Sequence, residues 1–184
     1  MNLTNQLLIA TPEMADERFF KAVILICEHN EHGALGININ MPSDITFEEI
    51  LESLAIPMNS HKAESIIYEG GPVNTQCGFI LHQNLYDYDS SIQIAKNISL
   101  TTSKDIIKAI AQDTMNGDWL MALGCATWHE GQLEQEIADN AWLTCASDEK
   151  LIFKNTLEKH DKWEQALDII GVKPHQLSGD IGHA

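Results

Sequence analysis

Residues 119–143 read WLMALGCATWHEGQLEQEIADNAWL. The apolar run 119–124 has the length and composition of a strand buried on both faces. Thr127, with Glu130 three residues on, has the spacing of a capping box. Leu133, Ile137 and Ala141 then recur every four residues, as the core-facing stripe of a helix does. Gln132, Glu136 and Asn140 keep the same interval on another face, with Trp128 in the expected first turn and Trp142 just past the last. The stretch therefore predicts a strand that hands over to a helix across Gly124. Such a junction belongs to a mixed α and β chain, and it often holds a site.

Outward from this junction, residues 19–30 (FFKAVILICEHN) predict a central strand. Val23, Leu25 and Cys27 fall on one face and Ala22, Ile24 and Ile26 on the other, both apolar. A Glu31-His32-Gly33 turn leads to the alternating segment 34–40, and the two read as a hairpin. Residues 43–55 predict a helix, capped by Thr46 and Glu49, with Phe47, Ile50, Leu51 and Leu54 inward. Residues 66–69 form a short strand that runs into Gly70-Gly71-Pro72, and residues 77–82 are a second buried strand. Residues 86–91 read as a surface loop. Residues 102–115 predict a helix with Thr102 or Ser103 as N-cap. Residues 142–146 return as a strand, and a helix over 161–170 ends at Gly171 in the position of a left-handed cap. Strands and helices are interspersed without strict alternation. The expected class is α+β with a mixed sheet, in one domain of 184 residues.

Charge narrows the function classes. Eleven Lys and Arg stand against 27 Asp and Glu, a formal charge of −16, and Arg18 is the only arginine. Direct binding to nucleic acid or to an anionic membrane is disfavoured, because both are polyanions. No apolar run reaches the ~20 residues that span a bilayer, and the N-terminus lacks the pattern of a signal peptide. The cytoplasm is the expected compartment. Cys27, Cys77, Cys125 and Cys145 show no Cys-x-x-Cys spacing, so four free thiols are expected there.

Three constellations are candidates for chemistry. Gly124-Cys125-Ala126 sits where a nucleophile elbow would, but Leu123 and Thr127 occupy positions that such an elbow gives to small residues. A buried, inert thiol is the favoured alternative. Cys27 and His29 lie two apart on one strand, so they share a face, and an imidazole beside a thiol can activate it. With His32 they also offer soft metal ligands, though no fourth is indicated and no metal is expected. Asn30 closes the same segment. Gly70 and Gly71 can let a backbone approach a ligand, but no Lys-Ser/Thr helix follows, so they do not make a phosphate loop. Trp128 and the stripe Gln132, Glu136 and Asn140 can line a pocket; a solvated helix face is the alternative. No complete catalytic set is visible and no cofactor is implied.

Taken together, several segments resemble the YqgE/AlgH family of bacterial proteins. They are LLIATP, ICEHNEHGALGININ, the EGGPV turn, GFILH, SLTTSKDI, LGCATWHEGQLEQEIADNAWL and the ending IGHA. The resemblance implies a single α+β domain whose mixed, largely antiparallel, bifurcated sheet forms a partial barrel flanked by helices. It implies a cytosolic protein and carries no biochemical activity. The AlgH branch is named for regulation of alginate synthesis, which, with this charge, points to an indirect transcriptional regulator. By the same resemblance Cys125 stands where an aromatic residue is more usual and Cys77 where arginine is, which leaves Cys27 as the thiol to test. The expected function is non-enzymatic binding or regulation through a protein or small-molecule partner, with oligomeric state left open. The alternative is a thiol redox sensor or cysteine hydrolase centred on Cys27 and His29.

Overall fold

A computed structural model describes residues 2–58, 64–83 and 88–177. Residues 59–63, part of the expected loop at 86–91 and the IGHA ending lie outside these. Among the described residues nine strands form one curled sheet: β1 (Gln6–Ala10), β2 (Val23–Asn30), β3 (Gly33–Asn38), β4 (Ile67–Glu69), β5 (Val73–Gln83), β6 (Ser91–Ala95), β7 (Ile98–Thr101), β8 (Trp119–His129) and β9 (Trp142–Ala146). The order is β6-β7-β5-β8-β3-β2-β1-β9, with β4 beside β8. Only the β4–β8 pairing is parallel among the described strands. The α-helices among the described residues are α1 (Phe47–Ser53), α2 (Lys104–Ala111), α3 (Gln132–Ala138), α4 (Glu149–Ile152) and α5 (Lys159–Ile169). The class is α+β, with a largely antiparallel half-barrel.

The sheet forks on β8. Its first half, Met121 to Leu123, lies between β5 and β4, while its second half, Ala126 to His129, pairs with β3. Gly124 sits at the fork with φ +77°. The Gly70-Gly71 turn crosses there so closely that a Cβ at Gly124 would run into the carbonyl oxygens of Gly71 and Val73, and one at Gly71 into the backbone of Cys125 and Ala126. Hydrogen bonds fix the crossing: the Gly70 amide donates to Leu123 O (2.8 Å) and Gly70 O accepts from Asn38 N (2.9 Å).

Each face of the sheet has its own core. Inside the curl, Leu7, Val23, Leu25, Cys27, Leu81 and Cys125 pack together, closed at one end by Leu151, Ile152, Trp163 and Leu167 of α4 and α5. Outside one arm, α1 and α2 bury Phe47, Ile50, Ile106 and Ile110 on Ile67, Ile80 and Met121. Outside the other arm, α3 sets Leu133 on Ile24, Ile26, Ala126 and Trp128. The two faces of β2 divide between cores as the alternation predicts. The Thr46–Glu49 capping box forms, and Gly171 adopts φ +71° after α5.

The opening stretch departs from its expected form. β8 does not stop at residue 124 but runs to His129, because Ala126 and Trp128 alternate with exposed Thr127 and His129, burying themselves in the core under α3, and β3 supplies a partner. Thr127 is therefore an exposed strand residue opposite Leu35, not an N-cap. Gly131, at φ +72°, starts α3, and the Gln132 side chain accepts from the His129 amide (3.1 Å). The helix ends at Ala138, so Asn140 lies beyond it at φ +60°. Ser103 occupies the N-cap position of α2, but its hydroxyl donates to Asp105 rather than capping the backbone. β5 begins at Val73, earlier than expected, through a wide bulge facing Gly124.

Candidate functional site

The fork brings α3, the end of β8, the turn after Gly71 and the segment 13–19 around one groove of about 640 Å³. Glu136 stands at its side. Its Oε2 accepts from the indole N–H groups of Trp128 (2.9 Å) and Trp142 (2.8 Å), and its Oε1 accepts from Gln132 Nε2 (2.9 Å). The rings of Trp128 and Trp142 meet edge to face at 6.2 Å between centroids, and Phe19 meets Trp142 at 5.7 Å. Both indoles are nearly enclosed, so their N–H groups need this carboxylate as acceptor. The result is a rigid negative group whose orientation is set by two donors from different strands. A second recess of about 410 Å³ adjoins the groove through shared walls at Arg18, Phe19 and Pro72, and Gly71 lines it. Chemically, the arrangement positions charge and apolar surface for binding.

The structure brings Trp128, Gln132 and Glu136 into one groove and places Gly71 in the recess beside it. Asn30 lies elsewhere: its side chain is exposed, donates to Glu28 (2.8 Å) and accepts from the His32 amide (2.8 Å). Asn140 is not on the stripe, because the helix has already ended; its carbonyl accepts from the Thr11 hydroxyl (2.5 Å). The backbone that Gly70 and Gly71 admit is that of β8, not of a ligand.

Cys27 and His29 do not share a face. The β2–β3 register shifts between Ile26 and Glu28, and this bulge at Cys27 breaks the alternation. Cys27, 3% exposed, turns into the inner core, where its Sγ lies 3.6 Å from Leu25 O. Burial, and then Cys125, push its thiol well above the ordinary range. His29 turns toward α3. Its Nδ1 accepts from the Leu3 amide (3.0 Å), which leaves the proton on Nε2, 2.9 Å from Glu134 Oε1. His32 is exposed on the turn, so the three potential ligands diverge. Among the described residues no group of three or more His, Cys, Asp and Glu side chains is placed to hold a metal ion. Cys125 is buried within β8, and burial also raises its pKa.

Two polar clusters carry no sequence signal. Lys162 of α5 is fully buried, donating to Ile39 O and Ile152 O (both 2.8 Å) with its ammonium 4.8 Å from the Tyr68 ring centre. His82 is buried on β5 with Nδ1 2.9 Å from Gln83 O, which fixes that proton, so Nε2 accepts from Thr101 Oγ1 (2.8 Å) and Thr101 accepts from Ser91 Oγ (2.7 Å). A hydroxyl on a histidine resembles an activated nucleophile, but Thr101 is sealed from solvent, so the chain of bonds is structural.

The sequence model of AlgH-like proteins matches residues 7–175. The chain belongs to the AlgH-like family. The UPF0301 protein Tgr7_2910 of Thioalkalivibrio sulfidiphilus is 46% identical, covering 100% of this chain and 97% of that one. A UPF0301 protein of Vibrio cholerae is 42% identical over the full length of both. The solution structure of the AlgH protein from Pseudomonas aeruginosa superposes with a TM-score of 0.80 at 39% identity, covering 100% and 97% of the two chains. The crystal structure of DIP2367 from Corynebacterium diphtheriae, at 23% identity and a TM-score of 0.68 over 90% and 85%, shares the fold. AlgH-like membership thus accounts for the forked half-barrel. In the described residues no helix is long and apolar enough to cross a membrane.

Proposed function

We propose that this AlgH-like protein is a non-enzymatic binding or regulatory protein whose partner seats in the groove beside α3. The observation that carries this is the Glu136 carboxylate, held by two enclosed indoles at the wall of an open groove. A preorganised polar group amid apolar surface is what a binding site needs, since little ordering is lost on association. The four free thiols agree with a reducing, cytoplasmic setting. Regulation of transcription, on this reading, runs through the partner and not through contact with DNA, because the net charge of −16 repels it. The burial of Cys27 weighs against the thiol-based alternative.

The test uses Thr127→Trp, which places a large side chain in the groove from an exposed strand position. Wild type and variant are incubated with a fractionated metabolite and peptide extract, and retained compounds are identified by mass spectrometry. Compounds retained unchanged by the wild type and lost by the variant support the reading. Equal retention by both, or recovery of chemically altered compounds, overturns it.

A further inference from the structure

The groove and its neighbouring recess lie side by side, with Arg18, Phe19 and Pro72 lining both, and are treated together as one trench. Its walls carry six carboxylates: Glu13, Asp16, Glu17, Glu69, Glu136 and Asp139. Arg18 is the one arginine or lysine on those walls, and Asp16 takes it up through a two-pronged pair at 2.6 and 3.0 Å. Glu69 also feels the charge of Lys159, which lies outside the trench. Between the carboxylates lie Phe19, Pro72, Val73 and Ile45, an apolar floor. Two adjoining recesses that share a wall can take successive side chains of an extended segment. The charge of the trench selects cations, and low-dielectric walls focus that field within it.

We propose that the trench receives an extended basic segment of a partner protein, one in which lysine or arginine side chains alternate with apolar ones. The apolar side chains lie on the floor, and the cations face Glu13 and Asp139 at the rim and Glu136 within. This rests on the binding reading above and adds the partner's chemistry to it. Glu136 is already oriented by Trp128 and Trp142, so an arriving cation meets a carboxylate that need not reorganise.

The experiment titrates the ¹⁵N-labelled full-length protein with three hexapeptides, in which leucine alternates with lysine, with glutamine or with glutamate. The readout is the indole N–H signals. Those of Trp128 and Trp142 report on Glu136, whereas that of Trp163 donates to Ala10 O in the core and serves as an internal control. The lysine peptide is expected to shift the first two saturably and leave Trp163 in place. The double variant E13Q/D139N, altered only at exposed rim positions, should weaken that binding by roughly threefold to tenfold, as two partly exposed ion pairs allow. Tenfold more salt should weaken it further. If the glutamine peptide binds in the trench as well as the lysine one, the basic partner is overturned while the binding reading stands. If neither moves Trp128 and Trp142, both fall. If the lysine peptide shifts amides evenly over the whole acidic surface, the proposal is overturned as non-specific attraction.

Discussion

Lys162 is a buried cation with a consequence for stability near neutral pH. Burial, and then the charge of Lys154, lower its pKa from 10.5 to about 7, and its ammonium faces two carbonyls and a tyrosine ring rather than a carboxylate. Between pH 7 and 10.5 the unfolded chain therefore holds this proton more tightly than the folded one, so stability rises with pH. Above pH 9 the buried thiols act in the opposite sense: burial pushes Cys145 from 9.0 up to about 11, so the unfolded chain releases that proton first and stability falls. The lysine effect is thus read below pH 9. Urea unfolding from pH 7 to about 8.5 should show a net gain of roughly 1–2 kcal/mol, absent in Lys162→Met; a flat wild-type profile would refute the assignment. Cys27 gives a second prediction. Iodoacetamide should label exposed Cys77 of the native protein at least about 100-fold faster than Cys27, which is enclosed and held protonated. Comparable rates, followed by peptide mapping, would return Cys27 to the list of reactive thiols.

At the scale of elements, the fork on β8 depends on glycine in two different ways. Gly124 and Gly131 both have left-handed backbone, at φ +77° and +72°. Alanine at Gly131 would meet nothing within 4 Å, so it should cost only the conformational penalty of about 1 kcal/mol. Alanine at Gly124 would also drive a methyl group into the backbone of the Gly71 turn, and should cost about 3 kcal/mol or more, with loss of the fork. Thermal unfolding of both variants checks the contrast; equal losses would show that the close crossing adds nothing. The same strand shows how far sequence reading reaches. The buried strand β2, the hairpin to β3, the capped helix α1 and the glycine end of α5 follow from local patterns, and local patterns are visible in a sequence. The extension of β8 to His129 was hidden because Thr127 and Glu130 fit a capping box as well as they fit a strand end, and only the pairing with β3 decides between them. Of the candidate site, Trp128, Gln132 and Glu136 were legible from spacing. The opposite wall at 13–19 was not, because it arrives through the fold from over a hundred residues away. The Cys27–His29 pair failed through a single bulge, which shifts every later side chain to the other face.

For the whole molecule, charge decides what it can meet. The formal charge is −16, and several of its 11 basic side chains are already committed. Arg18 pairs with Asp16, Lys154 with Asp161 and Lys173 with Asp168, each at 2.6 Å, while Lys162 is inside the fold. Attraction to DNA comes mainly from releasing counterions at clustered lysine and arginine contacts, and no two of the 11 lysine and arginine residues are adjacent in this sequence. Low salt is the most permissive condition, since it favours even non-specific binding. A gel shift at about 20 mM salt should therefore show no retarded duplex up to protein concentrations of about 100 µM, a range in which cation-rich proteins bind any sequence. A retarded band that disappears as salt rises would mean that local basic groups outweigh the net charge, and regulation by direct contact would replace regulation through a partner. The absence of a band, together with a saturable response of Trp128 and Trp142 to a basic peptide, would put the protein's recognition in the acidic trench and give its charge a positive role: excluding polyanions while admitting cationic chains.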